Sequence, residues 1–121
     1  MDKKTILIID DSPDNLDILS EILKEEYKVK AALNGKIGLK IANTKPNLIL
    51  LDILMPEMDG YEVFQKLKDN PETSSIPIVF ISGNSNDDEI KKGMDMGASD
   101  YLFKPIDPEL VLESVKKFLK D

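Results

Sequence analysis

Residues 5–15 read TILIIDDSPDN, and the junction inside that stretch decides how the chain folds. Ile6, Leu7, Ile8 and Ile9 form an unbroken run of apolar β-formers, the composition of a strand buried on both faces. The run ends in two adjacent carboxylates, Asp10 and Asp11. Neighbouring side chains on a strand point to opposite faces, but where the strand ends and the chain turns both can collect at one rim. Two acids collected there repel each other unless a cation lies between them. Immediately afterwards the period changes: Ser12 suits a helix N-cap with Pro13 at the first helical position, and Leu16, Leu19 and Leu23 share one stripe.

The same strand-then-helix unit recurs along the chain. Apolar bursts at residues 29–33, 48–51, 76–81 and 101–103 alternate with segments of helical spacing. The second helix is expected from about Asn34 to Asn43, stopped by Pro46; the third follows MPEMDG, with Val63, Phe64 and Leu67 inward. The fourth, within SNDDEIKKGMDMGAS, carries Gly93 in its interior and few large apolar anchors, so it should be the softest. The fifth starts near Pro108, presents Leu110, Val111, Ser114, Val115, Phe118 and Leu119 on one broad face, and gathers Lys116, Lys117 and Lys120 at its negative end. Runs such as LILL and IPIVFI suit strands covered on both sides. Right-handed crossovers then give an α/β fold: a doubly wound, five-stranded parallel sheet with five helices, whose ligands bind at the C-terminal strand ends.

Composition narrows the function. The 121 residues, with 41% hydrophobic content, are read as one domain over 1–121. A net charge of −7, from 23 acids against 16 bases, argues against nucleic acid as a partner. The chain has no cysteine and no histidine, so disulfides, thiolate chemistry and the commonest general base are all excluded. No apolar run is long enough for a signal peptide or a membrane span, and the expected location is cytoplasmic.

The strand ends carry the chemistry. Strand one ends in Asp10 and Asp11, strand three in Asp52, strand four in Ser82, and strand five in Lys104 followed by Pro105. Each has an ordinary reading as a loop starter or a solvated side chain, but three carboxylates on one edge repel without structural use, and such a cost marks a site. A hard divalent cation with oxygen ligands, Mg²⁺, accounts for them. With the cation in place, one carboxylate can act as a nucleophile towards phosphorus. Asp52, central in the sheet, is the natural nucleophile; Lys104 supplies a point charge and Ser82 a hydroxyl donor to the phosphoryl oxygens.

ILIIDDSPDN, LILLDILMPEMDG, IPIVFISG and GASDYLFKPID, in that order and spacing, resemble the receiver domain of two-component response regulators, of the chemotaxis-regulator type. The resemblance covers essentially the whole chain. It implies a flavodoxin-like sheet of order 2-1-3-4-5 and an Asp52 that accepts a phosphoryl group from the phosphohistidine of a histidine kinase or histidine phosphotransfer protein. It implies direct Mg²⁺ contacts from Asp11, Asp52 and the backbone carbonyl of Leu54, with Asp10 acting through water. Ser82 stands at the family's switch hydroxyl, Lys104 at its lysine, Tyr101 at its aromatic switch, and the Lys104–Pro105 bond is expected to be cis. For Tyr101 an ordinary half-buried strand aromatic is an equal reading. Gly83 and Ala98 are expected to leave room near the phosphate and the switch.

Further expectations follow from that resemblance. Leu54 and Asn84 flank the water path to the acyl phosphate, and apolar Leu54 offers nothing to orient water, so self-dephosphorylation should be slow. Phosphorylation should draw Ser82 inward, let Tyr101 swing into the vacated space and reshape the surface of helix four and strand five, where an effector protein or domain would read it. The chain is expected to be a monomer or a weak phosphorylation-dependent dimer, stand-alone or part of a hybrid kinase or cyclic-dinucleotide enzyme. A degenerate receiver acting only as a docking module is the alternative. A haloacid-dehalogenase phosphatase would want an acid two positions beyond the nucleophile, where Ser12 stands after Asp10; a flavodoxin would want a phosphate loop in place of DDSPDN; a Rossmann dehydrogenase would want G-x-G-x-x-G.

Overall fold

Five apolar segments pair as parallel strands because helices cover both sides of them. The computed structural model describes residues 3–83 and 87–119. Its elements alternate strictly: β1 (Thr5–Ile9), α1 (Pro13–Leu23), β2 (Lys28–Ala32), α2 (Gly35–Ala42), β3 (Leu48–Asp52), α3 (Gly60–Asp69), β4 (Ile78–Ser82), α4 (Asp87–Met96), β5 (Asp100–Phe103) and α5 (Pro108–Leu119). The sheet order is β2-β1-β3-β4-β5, so β1 and β3 are neighbours and the crossovers change sides there. Ile9 pairs with Leu51 and Asp52 with Ile81, a register that brings the C-terminal ends of β1, β3 and β4 to one rim.

The strand period of two sorts the core into two layers. Leu7, Ile9, Ile49, Leu51, Ile78 and Phe80 face one side, with Val63, Phe64 and Leu67 of α3. Ile6, Ile8, Leu48, Leu50, Val79 and Ile81 face the other, with Leu16, Leu19 and Leu23 of α1 and Val111, Val115 and Leu119 of α5. Helix boundaries follow capping chemistry: Ser12, Asn34 and Asp59 accept hydrogen bonds from the amides of Asn15, Ile37 and Glu62.

Some elements differ from the sequence reading. β2 is one of the two edge strands, with only Ala32 buried, and Leu33 lies beyond it, about half exposed. Ile76 and Pro77 precede β4, whose strand begins at Ile78; Pro77 has no N–H to give a ladder. On α5, Leu110 is 54% exposed and Phe118 only half-buried, so the inward stripe is narrower than expected. Gly93 is the one buried residue of α4, in line with the expectation of a soft helix. Lys120 and Asn84 lie outside the described residues.

Candidate functional site

Asp52 closes β3 in the middle of the sheet, and its side chain is buried. Asp10 leaves the neighbouring β1, also buried, while Asp11 is exposed at the mouth. Carboxylate oxygens of all three lie within 4.8 Å of one another, so the structure brings together the acids that the sequence placed at one rim. Lys104, just beyond β5, reaches across β4: its Nζ lies 3.2 Å from Asp52 Oδ1 and 3.7 Å from Asp10 Oδ2. The backbone amide of Lys104 donates to the Ser82 carbonyl, which fixes the lysine's start point at the end of β4, and the Lys104–Pro105 bond is cis.

Asp10 is held by the turn that follows it. The Ser12 amide donates to Asp10 Oδ1 at 2.9 Å, and Asn15 Nδ2 donates to Oδ2 at 3.3 Å. Sequence reasoning took Ser12 only as a helix cap and passed over Asn15. The Asp-x-Ser spacing of an Asx turn was the available signal. Gly60 was also missed: a Cβ there would collide with the Asp52 carbonyl and come within 2.7 Å of Ile53 Cα. Lacking one, the start of α3 closes onto the end of β3, where the Gly60 amide donates to the Ile53 carbonyl at 2.7 Å.

The electrostatics expose an unmet demand. Burial, followed by the nearby charge of Asp10, pushes the Asp52 carboxyl up to about 7, against the opposing pull of Lys104. Asp52 Oδ2 is buried and has no hydrogen-bond partner among the described residues. An orphaned carboxylate oxygen inside a ring of oxygens, with one lysine on its far side, fits a small divalent cation that takes oxygen ligands. The donor set is all oxygen, the choice of Mg²⁺ rather than of zinc or copper.

The remaining predicted residues surround this centre. Ser82 ends β4, buried, beside the Asp52–Ile81 pair. Leu54 follows β3 with its side chain 70% exposed, apart from the core. Tyr101 is not half-buried: it is 8% exposed, its ring lies 6.2 Å from Phe80 and 5.2 Å from Phe103, and its hydroxyl has no partner among the described residues. Among the described residues, nothing lies within 4 Å of where a Cβ on Gly83 would stand.

Comparison with known proteins agrees with this geometry. A family model of the response regulator receiver domain matches residues 6–116. The chain is 47% identical over 118 residues to a probable cyclic di-GMP phosphodiesterase of Vibrio cholerae, covering 97% of this chain and 27% of that protein. It is 36% identical to protein PilH of Pseudomonas aeruginosa, covering 94% of this chain and 96% of PilH. The backbone superposes on the chemotaxis protein CheY4 of Vibrio cholerae with a TM-score of 0.90 at 26% identity, over 97% of this chain and 99% of CheY4. The chain thus spans about a quarter of the first of these relatives and nearly all of the other two. With matches of this extent in both sequence and backbone, the chain belongs to the response regulator receiver domain family.

Proposed function

We propose that the chain accepts a phosphoryl group on Asp52 from the phosphohistidine of a histidine kinase or histidine phosphotransfer protein, and passes the change to an effector through α4 and β5. The observation that carries this reading is the state of Asp52: one carboxylate oxygen engaged by Lys104, the other buried and unpartnered. In the reaction an Asp52 oxygen attacks phosphorus, the phosphorus–nitrogen bond of the phosphohistidine breaks with its electrons returning to the imidazole, and an acyl phosphate remains. Asp10, Asp11, Asp52 and the Leu54 backbone carbonyl would hold Mg²⁺, which when bound supplies charge to offset the phosphoryl oxygens. Lys104 adds a second positive group and Ser82 a hydroxyl donor.

The phosphoryl group adds about −1.5 to −2 charge and several strong acceptor oxygens. Lys104 and Ser82 turn towards it. A buried hydroxyl without a partner costs about 1–3 kcal/mol, so the inward position of Tyr101 is readily exchanged for another once its surroundings shift. The test is incubation with acetyl phosphate and Mg²⁺. The intact chain should gain one phosphoryl mass that hydroxylamine removes, and Asp52→Asn or chelation should abolish the gain. No added mass, or a gain that survives Asp52→Asn, overturns the reading.

A further inference from the structure

The residue after Gly60 ties the acceptor strand to the softest helix. Tyr61, half-buried in the first turn of α3, donates its hydroxyl to the Glu89 carboxylate of α4. Lys92, one turn further along α4, sets its ammonium 4.1 Å from the centre of the Tyr61 ring. The same ring meets Phe80 edge-on, with centroids 5.5 Å apart, and Phe80 in turn meets Tyr101. Gly93 closes the arrangement, since a Cβ there would lie 3.1 Å from Phe80 and 3.2 Å from Tyr101.

These contacts weigh more on α4 than they would on α1, α3 or α5, each of which buries large side chains. α4 buries no large side chain fully; Gly93 is its one buried residue, with Ile90 and Met96 only partly buried. A hydrogen bond to a carboxylate and a cation over an aromatic face are each worth as much as a partly buried aliphatic contact. Burial and the Glu89 carboxylate push the Tyr61 phenol up, so it remains a donor at every physiological pH. Tyr61 also stands next to Gly60, which packs against the Asp52 carbonyl, so displacement of the β3 end moves the latch directly.

We propose that Tyr61 is a positioning residue that latches α4 in its resting place through Glu89 and Lys92, and that occupation of Asp52 releases α4 by disturbing this latch. The latch itself stands on the contacts just described; only its trigger rests on the phosphoacceptor reading.

Hydrogen exchange of the α4 amides in the full chain with Mg²⁺, without a phosphodonor, tests the latch. Tyr61→Phe keeps the ring contacts and deletes the donor; Glu89→Ala deletes the acceptor. Each should speed α4 exchange about tenfold, while the double variant is no faster than the faster single one. Unchanged α4 exchange in Tyr61→Phe, or effects that multiply in the double variant, overturns the proposal. Should Tyr61→Phe loosen β1 as much as α4, the solvent-side Glu89→Ala decides by the same criterion. Adding beryllofluoride should raise α4 exchange in the parent to the level of Tyr61→Phe and add little in that variant; a full further increase there overturns the trigger. Failure of acetyl phosphate to label Asp52 strikes the phosphoacceptor reading, whereas a multiplicative double variant strikes the latch.

Discussion

In the metal-free protein, Asp52 should be a source of instability that a single neutral substitution removes. Its carboxyl rises from 3.8 to about 7 on folding, with burial as the first cause and Asp10 as the second. For an acid raised in the folded state, the native protein holds its proton more tightly than the unfolded chain does. Stability is therefore greatest below pH 4 as far as this group is concerned, and falls as pH rises from about 4 to about 7. A rise of about three units, at about 1.4 kcal/mol per unit, sets an upper limit of about 4 kcal/mol at pH 8. Asp52→Asn keeps the shape and removes the charge; the 3.2 Å pairing with Lys104 that is lost with it is already counted in the net rise.

The expected gain for Asp52→Asn is at most about 4 kcal/mol at pH 8 in chelator, shrinking to almost nothing at pH 4. Urea unfolding at the two pH values, followed by circular dichroism, reads it. Mg²⁺ at about a hundred times its dissociation constant should stabilise the parent by about 2.7 kcal/mol and the variant far less. Equal unfolding midpoints for parent and variant at pH 8 in chelator would refute the argument. So would a difference that persists unchanged at pH 4, since the effect would then owe nothing to ionisation.

Other substitutions test separate parts of the account. Leu54→Asn places an amide that can orient water where an exposed leucine stands, and decay of the phosphoryl mass should accelerate about tenfold, the scale of one hydrogen bond; decay no faster than the parent's denies Leu54 its part in phosphate lifetime. Gly60→Ala drives a methyl into the backbone of Asp52 and Ile53, which cannot rotate away, and should cost about 1–3 kcal/mol in urea unfolding. Lys45 holds a left-handed backbone at φ 59 and an exposed ion pair to Glu72; Lys45→Gly relieves the first for about 1 kcal/mol and loses the second for less, so the urea midpoint should rise slightly.

The parts of the fold that could be read from the sequence were those set by burial on two sides. LILL and IPIVF are apolar at every position because helices cover both faces, and their placement followed. β2 was harder because an edge strand buries little: Lys28, Lys30 and Ala31 are exposed, Val29 is only partly buried, and Ala32 alone is fully buried. Leu110 fitted the helical stripe of α5 by spacing alone, yet it is exposed and lines an open groove together with Phe103 and Pro105. At the site, the acids, Ser82 and Lys104 announced themselves as polar residues at the ends of apolar runs. Asn15, Gly60 and Tyr61 did not, because their parts depend on neighbours brought in by tertiary packing: Asp10, the Asp52 carbonyl and Glu89. Such pairings have no period in the sequence.

The unequal fastening of the helices bears on where a signal from Asp52 can go. α1 sinks Leu16, Leu19 and Leu23 into the sheet, and α5 sinks Val111, Val115 and Leu119, with Ser114 hydrogen-bonded to Asp100 at 2.8 Å. At about 1.5–3 kcal/mol for each fully buried aliphatic side chain, lifting either helix would cost more than a few new charge-assisted contacts can return. α4 has no such anchor; a glycine against two rings, a phenol on a carboxylate and an ammonium over a ring hold it. These are contacts of about the same size as those a phosphoryl group would make with Lys104 and Ser82. On the phosphoacceptor reading, a change at the rim of β3 would be too weak to remodel the α1–α5 side and strong enough to shift α4, so the direction of the response would be set by where the core is thin.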